Sequence, residues 1–350
     1  MSFKDPFDYY AKEKYLSSVR QGGLTIYKYT SKCDLEGNWN FHTKMARGLI
    51  LDDSGKIVAR PFTKFWNLNQ RQETNANVLP AETPELSDKL DGSLIVTFFN
   101  PETGAWQGVT MGSWDNDQTR YANPWLAARR DKLDPAYTYL FEIVGPWNRI
   151  VVFYPETRMV LIGVVHTESG EDWSYTQVRE FGTKAGLETV RFERRPFQEI
   201  DFNDPRITNE EGYVARYSNG LRVKLKYAEY FRLHKILTQL SIKGVWELLS
   251  TGQPTEEVLK NVPDEFRNWF NVERAKILER KKKIEDEAKK VFAGCPICSS
   301  RKEYAAYFTK FEPPIPGICF RMLDGKPHDD IAWKCAKPET HETFHVDEVA

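Results

Sequence analysis

An Asn-Gly dipeptide, Asn219-Gly220, stands between two runs of alternating branched and aromatic residues, 213–217 and 221–226, and it narrows the folds open to this chain more than any other feature. Asn and Gly both tolerate the positive φ angles of a tight hairpin turn, so the two runs read as paired antiparallel strands. With Asn219 and Gly220 as the whole loop, Ser218 faces Leu221, Ala215 faces Lys224 and Tyr213 faces Lys226. Side chains alternate along a strand, so Glu211, Lys224 and Lys226 then share one face, with Val223 and Leu225 on the other.

Further hairpins follow the same logic. Residues 48–53 and 56–62 flank Ser54-Gly55, and 93–99 and 106–111 flank a longer Pro-Glu-Thr-Gly loop. Residues 139–144 and 158–165 are additional strands, while 123–133 and 174–186 carry helical spacing. After about residue 228 the texture changes to amphipathic helices, the longest over 268–292. The expected fold is α+β: a domain of largely antiparallel sheets with flanking helices over 1–235, and a smaller all-helical domain over 236–350. No run of about 18 apolar residues is present, so no membrane span is expected. The opening residues have no apolar signal core, which predicts a cytoplasmic protein. Five cysteines argue against a disulfide framework. The 49 basic and 50 acidic residues balance, so net charge by itself does not point to nucleic acid.

Three short segments carry chemistry. In Lys89-Leu-Asp-Gly-Ser93 a lysine stands at the entrance to a strand, with Gly92 allowing a tight turn and close approach of a ligand. A lysine amine becomes a nucleophile when neighbouring cations and desolvation favour its neutral form. Glu211, Lys224 and Lys226 on one sheet face suit a metal-bound, multiply charged ligand, or else a set of cross-strand ion pairs. Glu142 interrupts the apolar run 139–144, where an unpaired carboxylate is costly, so it must meet a cation, a metal or a ligand hydroxyl; Arg149 is the simplest partner.

Together, Lys89-Leu-Asp-Gly-Ser93, Phe141-Glu142, Glu211-Gly-Tyr-Val214 and Lys224-Leu-Lys226 resemble the nucleotidyltransferase motifs of covalent ligases. Ala46-Arg47-Gly48, the segment from Arg60 through Lys64 and Phe65 to Asn67, and Pro146-Trp-Asn148-Arg149 resemble one branch, the bacteriophage T4 RNA ligase 1 family of tRNA-repair ligases. The resemblance covers roughly residues 24–232, with 26–29 fitting loosely. It implies an ATP-grasp-like nucleotidyltransferase domain and an ATP-dependent RNA ligase using Mg²⁺ or Mn²⁺. Lys89 would carry AMP, and Lys224 and Lys226 would stabilise the α-phosphate. Arg47 and Lys64, assisted by Tyr29, would bind the β- and γ-phosphates. Glu142 would contact the ribose or the metal shell, and Glu211 would hold the metal, partly through water. The implied partner is RNA with 5′-phosphate and 3′-hydroxyl ends, cleaved tRNA among them, acted on by a monomer in the cytoplasm, that of a host if the chain is phage-encoded. Ser93 directly after Gly92, and helical text after Lys226 instead of an RxDK-like motif, favour RNA over DNA. Sealing of nicked duplexes, and an inactive RNA- or zinc-binding protein on a ligase core, are the rival readings.

Other signals stay outside this set. Cys295 and Cys298 have half a zinc-site spacing that Cys319 and Cys335 would complete, although those two are separated by more than a knuckle. His341 and His345 satisfy HExxH, with little following sequence for a third ligand. Lys281-Lys282-Lys283 reads as a solvated helix face, or as phosphate contacts.

Overall fold

The computed structural model describes residues 2–260, 262–340 and 342–343. Its strands are β1 (Leu16–Gln21), β2 (Leu24–Tyr29), β3 (Arg47–Asp52), β4 (Ile57–Ala59), β5 (Trp66–Asn67), β6 (Glu85–Asp88) and β7 (Ser93–Asn100). They continue as β8 (Ala105–Val109), β9 (Tyr137–Val144), β10 (Arg158–His166), β11 (Phe192–Arg194), β12 (Gly212–Arg216) and β13 (Arg222–Lys226). Three sheets result, with strand orders β1-β2-β3-β4, β10-β9-β7-β8 and β11-β6-β12-β13-β5. Every pairing is antiparallel except β13 with β5. The helices are α1 (Asp5–Lys12), α2 (Ser31–Leu35), α3 (Phe41–Met45), α4 (Asp117–Ala127), α5 (Tyr175–Ala185) and α6 (Ala228–Gln239). Beyond them lie α7 (Ile242–Ser250), α8 (Thr255–Val258), α9 (Asp264–Ala293), α10 (Arg301–Phe308), α11 (Ile315–Leu323) and α12 (Asp329–Cys335). The α+β class expected from the sequence is the one observed. None of the described helices is long and apolar enough to cross a membrane.

The chain divides into two compact units, Met1–Phe231 and Arg232–Ala350. In the first, the period of two in β7 and β9 decides what each sheet face meets. Ile95, Tyr139, Phe141 and Ile143 pack against Ala122 and Leu126 of α4 and Val178 of α5. Val96, Phe98 and Leu140, on the opposite face, pack against Leu24, Ile26 and Ile50 of the first sheet. Glu142 follows the parity of Leu140 and so points away from the helices. In the third sheet, Leu86, Ala215, Val223 and Leu225 form a separate apolar cluster with Phe197. That choice leaves Lys224 and Lys226 for the other face.

Two local expectations need correction. Helix α4 starts at Asp117, not 123, because Asn116 accepts from the Thr119 amide while the Thr119 hydroxyl accepts from Asn116, a reciprocal cap. It ends at Ala127, and only a 3₁₀ turn, Arg130–Lys132, follows. The β12–β13 register is also one residue off the expected one: Gly212 faces Lys226, Val214 faces Lys224 and Arg216 faces Arg222. The loop holds three residues, closed by Tyr217 N–H to Leu221 O (2.9 Å) and Gly220 N–H to Tyr217 O (3.0 Å), with Gly220 at φ 83°. This is the type I turn with a following left-handed residue, the next commonest hairpin after the two-residue one.

The second unit is helical. Its core gathers Ala288 and Val291 of α9, Phe308, Ile315, Ile318 and Ala332. Lys281 is not on a solvated face: it pairs with Glu285 (2.6 Å) and Asp329 (2.5 Å) and is only 15% exposed, whereas Lys283 is exposed. The zinc set does not form. Cys319 is buried with its thiol toward Ala288 O, Cys335 is exposed, and the Cys298 thiol donates to Pro296 O. Among the described residues no three His, Cys, Asp or Glu side chains converge as metal ligands. His341 and His345 lie outside the described residues.

Gly212, at φ 136°, would carry a Cβ only 2.0 Å from Leu225 O, whereas a Cβ at Gly220 would meet nothing closer than 3.8 Å. Gly212→Ala is therefore expected to destabilise by roughly 3 kcal/mol and Gly220→Ala by about 1 kcal/mol, read from urea midpoints; equal effects would contradict this account.

Candidate active site

The site is assembled by β6 with its following loop, β9, β12, β13 and the start of β3. Lys89 extends from the end of β6, its amide held by Gly212 O at 2.8 Å. Its Nζ lies 2.8 Å from Glu211 Oε2, and Lys226 Nζ lies 2.7 Å from Glu211 Oε1. One carboxylate, 3% exposed, thus ties both lysines together. Simple alternation in the observed register would turn Glu211 to the face of Tyr213. The left-handed backbone at Gly212 reverses that direction, so Glu211 meets Lys226 although the expected pairing was wrong.

A cavity of about 230 Å³ opens beside Lys89. Arg47, Asp88, Lys89, Glu142, Arg222 and Lys224 supply its charged wall, and Phe65, Leu94 and Ile162 are among its apolar residues. Gly92 also lines it, but what forbids a side chain there is protein: a Cβ would sit 2.1 Å from Ile143 O. The close approach expected for a ligand at Gly92 is thus made by the backbone of β9. Ser93 Oγ bonds Asn148 Oδ1 (3.0 Å), and Asn148 in turn donates to Ile143 O (2.8 Å), which fastens the loop to the same strand.

Electrostatics follow from crowding in a poorly hydrated space. Burial pushes the Lys224 amine down to about 6, and Arg47, Lys89, Lys64 and Lys226 add to the effect. Burial likewise lowers Arg47. Glu142 is pushed up to about 7, by burial first; Lys89 and Arg47 oppose the rise while Glu211 and Asp91 reinforce it. Glu142 makes no ion pair among the described residues, so the expected pairing with Arg149 is absent; Arg149 donates to Val151 O and stands over the Phe153 ring. Lys64 Nζ reaches Tyr29 Oη (3.2 Å) and lies over the Tyr29 and Trp39 rings. The parallel pairing of β5 with β13 places Asn67 beside Lys224, and Phe65 stands 5.0 Å from both Arg47 and Lys224.

All eight residues singled out for the catalytic centre lie in the first unit: Arg47, Lys89, Glu142 and Lys224 line this cavity, Glu211 and Lys226 join it through Lys89, and Lys64 contacts Tyr29. Sequence reasoning assigned no part to Asp91, which is 2% exposed. Its carboxylate accepts from the Val151 and Val152 amides (2.7 and 2.8 Å) and from Tyr230 Oη (2.7 Å), anchoring the loop that carries Lys89. Its place two residues after Lys89 was the available signal. Also missed was the chain Arg222–Asp172–Arg216–Glu85–Arg194, which braces the third sheet through paired charges.

With this geometry in place, comparison with known proteins is decisive. A family model described as RNA ligase matches residues 45–238, more than half of the chain. The chain belongs to that family. It is 24% identical over 319 residues to an RNA ligase of Rhodothermus phage RM378, a match covering 70% of this chain and 71% of the phage protein. An archaeal ATP-dependent RNA ligase has a similar fold, with a TM-score of 0.50 at 13% identity over 93% of this chain and 96% of the other. The motif segments around Arg47, Lys89, Glu142, Glu211 and Lys224 all fall within the matched RNA ligase region.

The depressed Lys224 gives a stability signature. Between about 6 and its ordinary 10.5, the unfolded chain binds a proton that the folded one does not, so stability rises with pH across that window. Lys224→Met is expected to flatten the slope of unfolding free energy between roughly pH 7 and 9; an unchanged slope would place the cause elsewhere.

Proposed function

We propose that this RNA ligase is ATP-dependent and works through a lysyl-AMP on Lys89. The observation that carries the reading is the placing of Lys89 beside Glu211 and Lys226, at the mouth of a cavity that also presents Arg47, Glu142 and Lys224. Lys89 Nζ attacks the α-phosphorus of ATP: an N–P bond forms, the bond to pyrophosphate breaks, and the amine's proton passes by way of the Glu211 carboxylate, 2.8 Å away, to solvent. Lys224 and Lys226 offset charge on the α-phosphate, while Arg47 and Lys64 hold the β- and γ-phosphates, with Tyr29 orienting Lys64. AMP then passes to the 5′-phosphate of an RNA end, freeing the lysine. Attack by a 3′-hydroxyl forms the phosphodiester and releases AMP.

The donor set fits a divalent cation. Glu142 is a carboxylate with no ion-pair partner among the described residues and a raised proton affinity, the state a metal would relieve. Mg²⁺ or Mn²⁺ held by Glu142 and Glu211, partly through water, would supply charge neutralisation of the phosphates. Ser93 after Gly92, together with the helical unit after Lys226, supports RNA over nicked DNA as the substrate. That unit is read as the RNA-selecting domain, with repair of cleaved tRNA as the physiological task and a monomer as the working form.

Incubation with α-labelled ATP and Mg²⁺ is expected to yield a protein–AMP adduct that Lys89→Ala abolishes; an adduct surviving the substitution would sink the reading. Glu142→Gln is expected to raise the Mg²⁺ concentration for half-maximal adduct formation by roughly tenfold or more. Single-stranded RNA and broken tRNA should be sealed in preference to nicked duplex, and the reverse order would favour the duplex-sealing alternative.

A further inference from the structure

A second, smaller cavity of about 150 Å³ lies next to the first, and the two share Phe65 and Arg222 in their walls. Lys44, Lys64, Trp66 and Glu73 also line it. Its charges do not balance. Lys64 has no carboxylate within ion-pair distance among the described residues; it meets the Tyr29 hydroxyl and the Tyr29 and Trp39 rings. Arg222 is already held by Asp172. Lys44 pairs with Glu73 at 2.9 Å, but the two side chains are 32% and 48% exposed, so solvent screens this pair and it exchanges readily.

The backbone holds the two lysines together: the Lys64 amide donates to Lys44 O at 2.7 Å. Trp66 adds an independent sign. It is 4% exposed, lines the cavity, and its buried Nε1–H has no hydrogen-bond acceptor. Nearly every buried indole N–H finds an acceptor, so an orphan donor on a ring that Lys44 Nζ approaches to 4.9 Å marks a place for an anion.

We propose that this cavity is a diphosphate pocket in which Lys44 and the Trp66 N–H, beside Lys64, grip the part of ATP that leaves as pyrophosphate, Lys44 exchanging Glu73 for phosphate oxygens. The inference rests on the reading of Lys89 as the AMP acceptor. It goes beyond that reading by naming Lys44, Trp66 and Glu73, none of which the motifs contain. The shared wall at Phe65 joins the two cavities: an α-phosphate held near Lys89 and Lys224 leaves its two outer phosphates to extend toward Lys64 and Lys44. Glu73 then acts as the anion that occupies Lys44 while the pocket is empty.

The test is calorimetric titration of the full chain with inorganic pyrophosphate, and separately with AMP, which has no diphosphate. Lys44→Ala is expected to weaken pyrophosphate binding roughly tenfold, the loss of one charge-assisted contact. Trp66→Phe is expected to weaken it several-fold, Glu73→Gln to tighten it, and AMP binding to stay unchanged in all three. Equal pyrophosphate affinity in wild type and Lys44→Ala, no binding to wild type, or parallel loss of AMP binding would each overturn the proposal. Two further measurements separate the sources of the diphosphate. A raised KM for ATP in adduct formation by Lys44→Ala assigns the pocket to the bound nucleotide. An effect confined to pyrophosphate-driven discharge of the adduct assigns it to the departing group. Absence of any adduct in wild type would defeat the lysyl-AMP reading, while pyrophosphate binding would still be measurable on its own.

Discussion

One buried carboxylate organises the centre. Glu211 receives Lys89 on one oxygen and Lys226 on the other, at 2.8 and 2.7 Å, and so joins the loop after β6 to the end of β13. Because Glu211 is shared, losing either lysine leaves it one partner, whereas losing the acid leaves two neighbouring ammonium groups unpaired, which is the costlier change. Around them the backbone is drawn in as tightly as atoms allow. Gly92 and Gly212 each lie where a Cβ would strike a carbonyl oxygen, of Ile143 and of Leu225. The side chains that face the cavity are therefore carried on backbone packed too closely to admit a side chain at either glycine.

A second level of organisation surrounds this one. Asp91 fastens the Lys89 loop to residues 151–152 and to Tyr230, while the Asp172 and Glu85 charges brace Arg222 and Arg216 behind the third sheet. These groups spend their charge on neighbours. The cavity residues Lys224, Arg47 and Glu142 make no ion pair among the described residues, and burial lowers the proton affinity of the first two and raises that of the third. Unsatisfied charge, more than charge as such, separates the parts of the molecule that bind from those that support. The even balance of 49 basic and 50 acidic residues conceals that separation completely.

Much of this was legible in the residues. Runs of branched and aromatic residues located β3, β4, β7 to β10, β12 and β13, whereas the three-residue β11 is too short to carry such a run. The family motifs single out Lys89, Glu142, Glu211, Lys224 and Lys226 from the sequence alone. Register was harder to read. Ser218-Asn219-Gly220 closes as a three-residue loop, and a two- or three-residue closure around Asn-Gly leaves the same local signature while shifting every cross-strand partner. Glu211 reached its expected neighbour only because Gly212 turns the chain, a compensation that composition does not announce. The start of α4 was missed because its signal is a pair of polar side chains, Asn116 and Thr119, and not the apolar spacing that follows. Long-range partners such as Asp91 with Val151, or Lys44 with Glu73, depend on tertiary approach and leave no periodic trace.

The lowered proton affinity of Lys224 also bears on how so many cations coexist. A pocket holding Arg47, Lys89, Lys224 and, nearby, Lys64 and Lys226 would repel itself if all stayed charged at once. Lys224, poised near 6, can surrender its proton when the pocket is empty and regain it when an anion arrives. The pocket thus carries one positive charge fewer when empty than when an anion has entered. Arrival of a polyphosphate should draw a proton from solvent, so that the heat of binding depends on the ionisation enthalpy of the buffer, a thermodynamic trace of electrostatics built into the empty fold.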